Sequence, residues 1–255
     1  MKAIAIIPTY NERENIPKLV QRLLALPLDL DLFFIDDASP DHTGQLLDSM
    51  QARGPRLRVS HRCKKLGLGT AYRQAFHMLL SEPYDRYIAM DADLSHPPES
   101  IPTLLDATEH ADLAIGSRYV AHGGTVHCAA HRKLLSRTAN HLSRLALGLT
   151  VRDATSGFRC YRRELLSTLD QIAMRSNGYS FQIEVTYVTQ ALGYRIREVP
   201  IIFHDRVHDH SKLGTGEILA AAQTLFRLGM HHTIGKACPS RAAKFDPALD
   251  SNASA

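Results

Sequence analysis

Asp91-Ala92-Asp93-Leu94-Ser95-His96-Pro97-Pro98 stands directly after the apolar run Tyr87-Ile88-Ala89-Met90. Two carboxylates two residues apart at the end of a short apolar segment suggest a buried strand opening at its carboxyl edge, where open α/β sheets hold ligands. Such a pair suits a hard divalent cation shared with phosphate oxygens, because magnesium and its relatives are held by one or two carboxylates plus the substrate's own phosphates. An Asp-rich turn capping the helix that begins near the prolines would use the same residues. Two further runs decide between the readings. Ala3-Ile4-Ala5-Ile6-Ile7 leads into Pro8-Thr9-Tyr10-Asn11-Glu12, and Leu32-Phe33-Phe34-Ile35 leads into Asp36-Asp37-Ala38-Ser39-Pro40. Parallel strands with their carboxyl ends together gather Glu12, Asp37, Asp91 and Asp93 on one rim. Structural carboxylates have no reason to collect there.

The elements that must carry these loops alternate along the chain. Asn11, with Glu14 three residues on, reads as the cap of a helix whose apolar stripe is Ile16, Leu19, Val20, Leu23 and Leu24. A helix over 41–51, a short strand over 57–60, a helix opened by Gly67 and another initiated at Pro97 follow, then a strand over 112–117. This alternation predicts an α/β fold with a mostly parallel central sheet flanked by helices. The second half is less regular. A helix over 133–147 leads to a polar loop, 152–159, before a strand or turn at Cys160-Tyr161. A helix over 181–192 stops at Gly193. A strand over 196–203 contains Pro200, which points to a sheet edge, and a last helix covers 215–231. Residues 237–255, rich in Ala, Ser, Asp and Pro, read as a disordered tail.

A chain of 255 residues can hold one large α/β domain or two smaller ones. The net charge of +4 is too small to imply a nucleic-acid partner. Cys63, Cys128, Cys160 and Cys238 form no Cys-x-x-Cys and no zinc spacing, which fits reduced thiols in a cytosolic protein. The first residues do not form a signal peptide, and no run approaches the roughly 20 apolar residues that span a bilayer. The expectation is a protein that is soluble or lies on a membrane surface.

Seven segments occur in order: Pro8-Thr9-Tyr10-Asn11-Glu12; Ile35-Asp36-Asp37 with Ser39-Pro40-Asp41; Gly67-Leu68-Gly69-Thr70-Ala71; Asp91 to Pro98; Gly116-Ser117-Arg118-Tyr119; Thr155-Ser156-Gly157-Phe158-Arg159; and Asp205-Arg206-Val207 with Ser211-Lys212. Together they resemble the polyprenol-phosphate (dolichol-phosphate) mannosyltransferases, inverting family 2 glycosyltransferases of the GT-A fold. The resemblance implies a single glycosyltransferase domain over 1–236, with a nucleotide-sugar half (about 1–118) and an acceptor-side half (about 119–236). It implies that Pro8, Tyr10, Glu12, Ile35 and Asp37 line the nucleoside pocket, that Asp91, Ala92 and Asp93 meet the ribose and diphosphate, and that Arg118, Arg206 and Lys212 contact phosphates. Asp93 is the direct ligand expected for Mg2+ or Mn2+, with Asp91 and Ser95 as further candidates. Asp93, Arg206 and Lys212 carry the catalytic step. The implied substrates are GDP-mannose and a polyprenyl or dolichyl phosphate, with no nucleic acid. The rival donor is a UDP-sugar such as UDP-glucose, and the rival class is a non-enzymatic nucleotide-binding protein. A dinucleotide fold is disfavoured because no Gly-x-Gly-x-x-Gly follows the first strand.

The sequence departs from the family pattern at His42, where Gly is usual, and at His208-Asp209-His210, where Tyr-Gly-Glu is usual. The histidines and aspartates of 204–210 fit no common zinc spacing and read as a hydrated loop. A lipid acceptor requires a membrane surface. From Leu113 to Arg152 there is no Asp or Glu, and Leu135, Leu142, Leu145 and Leu149 share a helical stripe opposite Lys133, Arg137, His141 and Arg144. A basic amphipathic helix can lie on an anionic bilayer, peripheral on the cytoplasmic face, or the anchor can come from a small membrane-embedded partner protein. A core-packed helix with a solvated basic face would show the same pattern.

Overall fold

The structure, a computed structural model, describes residues 1–178, 180–205 and 220–230. The first half alternates as expected: β1 (Ala3–Thr9), α1 (Ile16–Leu24), β2 (Leu30–Asp36), α2 (Thr43–Gln51), β3 (Leu57–His61), α3 (Leu68–Leu79), β4 (Arg86–Ala89), then a short 3-10 turn (Pro98–Ser100) into α4 (Ile101–Ala107) and β5 (Leu113–Ser117). β6 (Gly124–Val126), α5 (Ala130–Leu147), β7 (Arg159–Arg162), α6 (Arg163–Asp170), α7 (Ser180–Ala191), β8 (Ile196–Pro200) and β9 (Ile202–His204) follow, and residues 220–230 are helical. Seven strands form one sheet in the order β3-β2-β1-β4-β7-β5-β8, with β6 and β9 as a separate parallel pair. Strands from both halves of the chain share the main sheet.

Side chains alternate across the sheet as the two-residue period of a strand requires. Ile4 and Ile6 face a core built with Phe33, Ile35, Tyr72, Phe76, Tyr161 and Phe181. Ala5 and Ile7 face the opposite core, with Ile16, Leu19, Leu23, Phe34, Leu104 and Phe158. Both faces of the central strands are therefore apolar, which explains the near-continuous hydrophobic runs in the sequence. Full burial of Ile16, Leu19 and Leu23, worth roughly 1.5–3 kcal/mol each, holds α1 on the sheet.

Several expectations change. Asn11 does not cap α1. It adopts a left-handed conformation (φ 58°), and the helix begins five residues later, where Pro17 sits in the first turn. Cys160-Tyr161 belongs to β7, which lies between β4 and β5 and runs antiparallel to both. Its sequence, Arg-Cys-Tyr-Arg, carries no apolar run, so its central place could not be seen in advance. The strand expected over 196–203 divides at Pro200 into β8, at the sheet edge, and β9. The prediction of an edge at Pro200 holds.

Helix α5 departs most from the usual pattern. Its buried residues are Asn140, Ser143 and Leu147, while Leu134, Leu135, Leu142 and Leu145 are 66%, 39%, 50% and 69% exposed. Of the four expected stripe leucines only Leu149, beyond the helix end, is buried. The core-packed alternative is not what the chain adopts.

Candidate active site

A cleft of about 440 Å³ opens at the carboxyl ends of β1, β2 and β4, walled by Pro8, Tyr10, Glu12, Asp37, Asp91 and Ala92. The facing wall is Lys65 to Leu68 together with Asn177 and Gly178. Three non-glycine residues just past these strands, Asn11 (φ 58°), Ala38 (φ 56°) and Leu94 (φ 64°), are left-handed. An L-residue there costs on the order of 1–2 kcal/mol, and such strain collects where a chain must aim side chains into a site. The sharp turns let three strand ends present adjacent residues to one space.

On the far wall, Asp37 holds the opposing loop in place. One oxygen pairs with the buried Arg62 guanidinium (2.6 Å), and the other accepts the N–H groups of Leu66 and Gly67 (3.3 and 3.2 Å). Gly67, at φ 92°, makes a turn that a side chain would strain. The Lys65 ammonium lies 3.8 Å from the centre of the Tyr10 ring, a cation–π contact. Glu12 accepts from Asn15 Nδ2 (2.8 Å), and its N–H donates to Thr43 (3.0 Å). Ile35 is a correction: it is fully buried in the core with Ile4 and Ile6, because its strand position points it beneath the cleft and not into it.

Asp91 and Asp93 are both partly exposed, and Asp93 Oδ1 accepts the Ser95 N–H (3.0 Å). No group of three or more His, Cys, Asp or Glu suited to hold a metal occurs among the described residues. Two carboxylates alone fit a cation that completes its shell with phosphate and water oxygens, as magnesium does. The Ser95 side chain is buried, and its hydroxyl has no hydrogen-bond partner among the described residues. Its backbone instead ties the loop to β9, the Ser95 carbonyl accepting the His204 N–H (3.2 Å).

His96, which sequence reasoning did not assign to the site, sets the shape of the acidic loop. Its Nδ1 accepts the Asp91 N–H (3.0 Å), which assigns the proton of the neutral ring to Nε2. The ring stacks on Phe158 at 5.1 Å and meets Phe203 edge-on. Burial lowers its pKa against the opposing pull of Asp91 and Asp93. Arg62, Lys65, Asn177 and Gly178 are the other site residues missed. Only Lys65, beside the glycine turn, carried a local signal.

Arg118 belongs elsewhere. Its guanidinium forks onto Asp153 (2.8 and 2.7 Å) and reaches Thr155 (2.8 Å). Burial would raise the Asp153 pKa, but the Arg118 charge and hydrogen bonds overcome it and hold the carboxyl below its ordinary range. Arg118 lines a second cleft of about 600 Å³ with Tyr119, Arg137, Asn140, His141, Arg144 and Arg152. Asn140 donates to Thr155 (2.9 Å) and accepts its N–H (3.3 Å), so α5 docks on the 153–155 loop through polar contacts. Beneath that loop the buried Arg159 donates to the carbonyls of Ser156 and Ala154 (2.7 and 2.8 Å). Arg132 pairs with Asp205 (2.8 Å). Arg206, Lys212 and residues 206–210 of the histidine-rich loop lie outside the described residues, as does the tail 237–255.

Residues 4–170 match the model of glycosyl transferase family 2. An undecaprenyl-phosphate mannosyltransferase of Micrococcus luteus is 43% identical over 90% of this chain and 95% of its own length. A polyprenol monophosphomannose synthase of Mycolicibacterium smegmatis is 44% identical over 92% of this chain and 90% of its own. Among solved structures, glucosyl-3-phosphoglycerate synthase of Mycobacterium tuberculosis with Mn2+, UDP-glucose and phosphoglyceric acid superposes with a TM-score of 0.63 at 20% identity, covering 89% of this chain and 78% of that one. A mannosyltransferase of Pyrobaculum calidifontis in complex with GDP-Man and Mn2+ gives 0.57 at 15% identity, covering 91% and 64%. The architecture is that of GT-A glycosyltransferases.

Proposed function

We propose, from the premise that this chain belongs to glycosyl transferase family 2, that it moves mannose from GDP-mannose to a polyprenyl or dolichyl phosphate with inversion. The observation that carries this reading is the cleft at the carboxyl ends of β1, β2 and β4, which unites Tyr10, Glu12, Asp37 and Asp91 in a chain 43% identical to a mannosyltransferase of that acceptor class. We take 1–236 as one catalytic domain, with the donor on the 1–118 side.

The nucleoside fits between Tyr10 and the 65–68 loop, where an aromatic face and a cation are already in contact. Asp91 and Asp93 would hold Mg2+ or Mn2+ against the diphosphate. Bound there, the cation supplies neutralisation of the negative charge that builds on the departing nucleoside diphosphate. Arg206 and Lys212, by their family positions, would add positive charge for the same leaving group. The acceptor phosphate is anionic near neutral pH, so its oxygen attacks the anomeric carbon without a strong general base. The new carbon–oxygen bond forms as the bond to the diphosphate breaks, and an α-linked donor gives a β-linked product.

The basic cleft beside α5 suits the acceptor's phosphate, and the exposed leucines of α5 suit the membrane that carries it. On the adjoining helix, Phe226 and Met230 are also exposed. That helix lies against the end of α5, where a side-chain carbon on Gly229 would stand 3.7 Å from the Ala146 carbonyl. No helix among the described residues is long and apolar enough to cross a membrane. We therefore place the protein peripherally on the cytoplasmic face, on an anionic lipid surface, with a small membrane-embedded protein as the competing anchor.

Thermal-shift measurements with GDP, UDP, GDP-mannose and UDP-glucose, each with and without Mg2+ or Mn2+, test the donor. GDP and GDP-mannose should raise Tm most, and more with metal, because a ligand that binds only the native state stabilises it by mass action. Equal or larger shifts from the uridine compounds would replace the proposed donor with a UDP-sugar.

A further inference from the structure

Behind Asp91 lies a polar group that no described contact explains. Gln182, in the first turn of α7, is 1% exposed, and neither Oε1 nor Nε2 of its amide has a hydrogen-bond partner among the described residues. A buried amide left unpaired carries the full desolvation cost of both polar atoms, so native interiors rarely contain one without a reason. Its neighbours are satisfied: the Thr186 hydroxyl donates to the main-chain carbonyl of Gln182 (2.8 Å), and Glu184 pairs with Arg227 (2.7 Å).

Gly157 stands between that amide and the acidic loop. A Cβ built on Gly157 would lie 3.6 Å from Asp91 Oδ1, 3.6 Å from His96 Cε1 and 3.8 Å from Gln182 Nε2. The point where these three groups converge is thus bounded by a residue without a side chain. Gly157 is partly exposed while Ser156 and Phe158 on either side are buried, so a residue without a side chain stands between the buried amide and the surface beside the carboxylate. The Asp91 hydrogen bond and the Phe158 stack hold the His96 ring beside Gly157.

We propose that Gln182 binds a hydroxyl of the donor's hexose through the gap at Gly157. The proposal rests on the nucleotide-sugar reading above and adds a sugar-binding residue to it. A carboxamide both donates and accepts, which matches a hydroxyl. A diphosphate offers only acceptors and would leave Oε1 unpaired. Asp91 places the gap at the acidic end of the cleft, away from the Tyr10–Lys65 contact assigned to the nucleoside.

The test is titration calorimetry of GDP and GDP-mannose, with kcat and KM, on Gln182→Met and Gly157→Ala. The alanine Cβ meets only ordinary contact distances, so that variant keeps the fold. GDP affinity should match wild type in both. The kcat/KM for GDP-mannose should fall about 10-fold or more, and Tm of Gln182→Met should stay at or above wild type because an unpaired amide is gone. A purely structural Gln182 would show the reverse pattern, with Tm and GDP affinity falling together, and that result overturns the proposal. So does wild-type kcat/KM in both variants. If the wild-type protein itself fails to bind GDP-mannose, the donor assignment falls as well, which separates the two failures.

Discussion

Helices α1 and α5 both carry an apolar stripe and turn it in opposite directions. In α1 the stripe (Ile16, Leu19, Val20, Leu23) is buried against the sheet. In α5 Leu134, Leu135, Leu142 and Leu145 are exposed, while Asn140 and Ser143 are buried together with Leu147 at the helix end. The partner surface makes the difference. Beneath α1 lie Ala5, Ile7 and Phe34, which apolar side chains satisfy. Beneath α5 lies the 153–155 loop, whose Asp153 and Thr155 need hydrogen bonds and obtain them from Arg118 and Asn140. A stripe shows that a helix is amphipathic, whereas the charge and bonding needs of its neighbour decide which face goes inside.

If the strand-end rim does chemistry and α5 recruits the lipid, damage to each should be separable. The largest effect falls on the rim. Asp93→Asn should lower turnover about 10³-fold or more, as should excess EDTA, with vesicle co-sedimentation unchanged. Full turnover in EDTA would remove the metal from the reading.

Next is the ledge that turns α5 over. Asp153→Asn leaves Arg118 without its buried counter-charge and should cost about 3–5 kcal/mol in urea unfolding at neutral pH. Because the folded pKa of Asp153 is depressed, its contribution is complete above about pH 4 and is lost as pH falls through the folded value. The gap between wild type and variant should therefore narrow only in acid. A gap that is constant with pH would show that the ion pair is not its source.

The stripes themselves come third. Leu19→Ala should cost about 2–5 kcal/mol, whereas Leu142→Ser and Leu145→Ser should each stay within about 0.5 kcal/mol of wild type yet weaken binding to anionic vesicles. Arg137→Glu with Arg144→Glu should weaken it further at low salt and little at high salt, where charges are screened. Unchanged vesicle binding and turnover in these variants would move the anchor to a membrane-embedded partner.

The smallest effect is at His42, which sits at φ 67° before α2. His42→Gly should raise stability by up to about 1 kcal/mol in thermal melts, since glycine adopts that conformation without a Cβ clash. A loss of stability would mean that the imidazole makes a compensating contact.

The first half of the chain is largely legible in the sequence, because β1, β2 and β4 carry apolar runs and α1 a regular apolar stripe. Glu12, Asp37 and Asp91 are legible from their places after those runs, Pro8, Tyr10 and Ala92 only through the family resemblance, and all six line one cleft. Ile35, which the resemblance places at the nucleoside, turns its side chain into the core with Ile4 and Ile6. Arg62, Asn177 and Gly178 reach the site from other elements and carry no local mark of it, whereas His96 stands inside the acidic motif but its role depends on Phe158 and Phe203 packing against it. Cys160-Tyr161 reads as a strand or a turn, but its place in the middle of the sheet is not legible, because these residues pair as a strand only where β4 and β5 flank them.

The sequence by itself determined the parallel α/β order, the acidic rim at the strand ends and the family, since these depend on local periodicity and on residues at short spacing. Only the tertiary structure decided that Asp37 clamps a loop, that Arg118 pairs with Asp153, that Leu134, Leu135, Leu142 and Leu145 of α5 face outward and that Gln182 lies behind Gly157. Each of these depends on distant segments meeting, and the balance between desolvation and hydrogen bonding is settled where they meet.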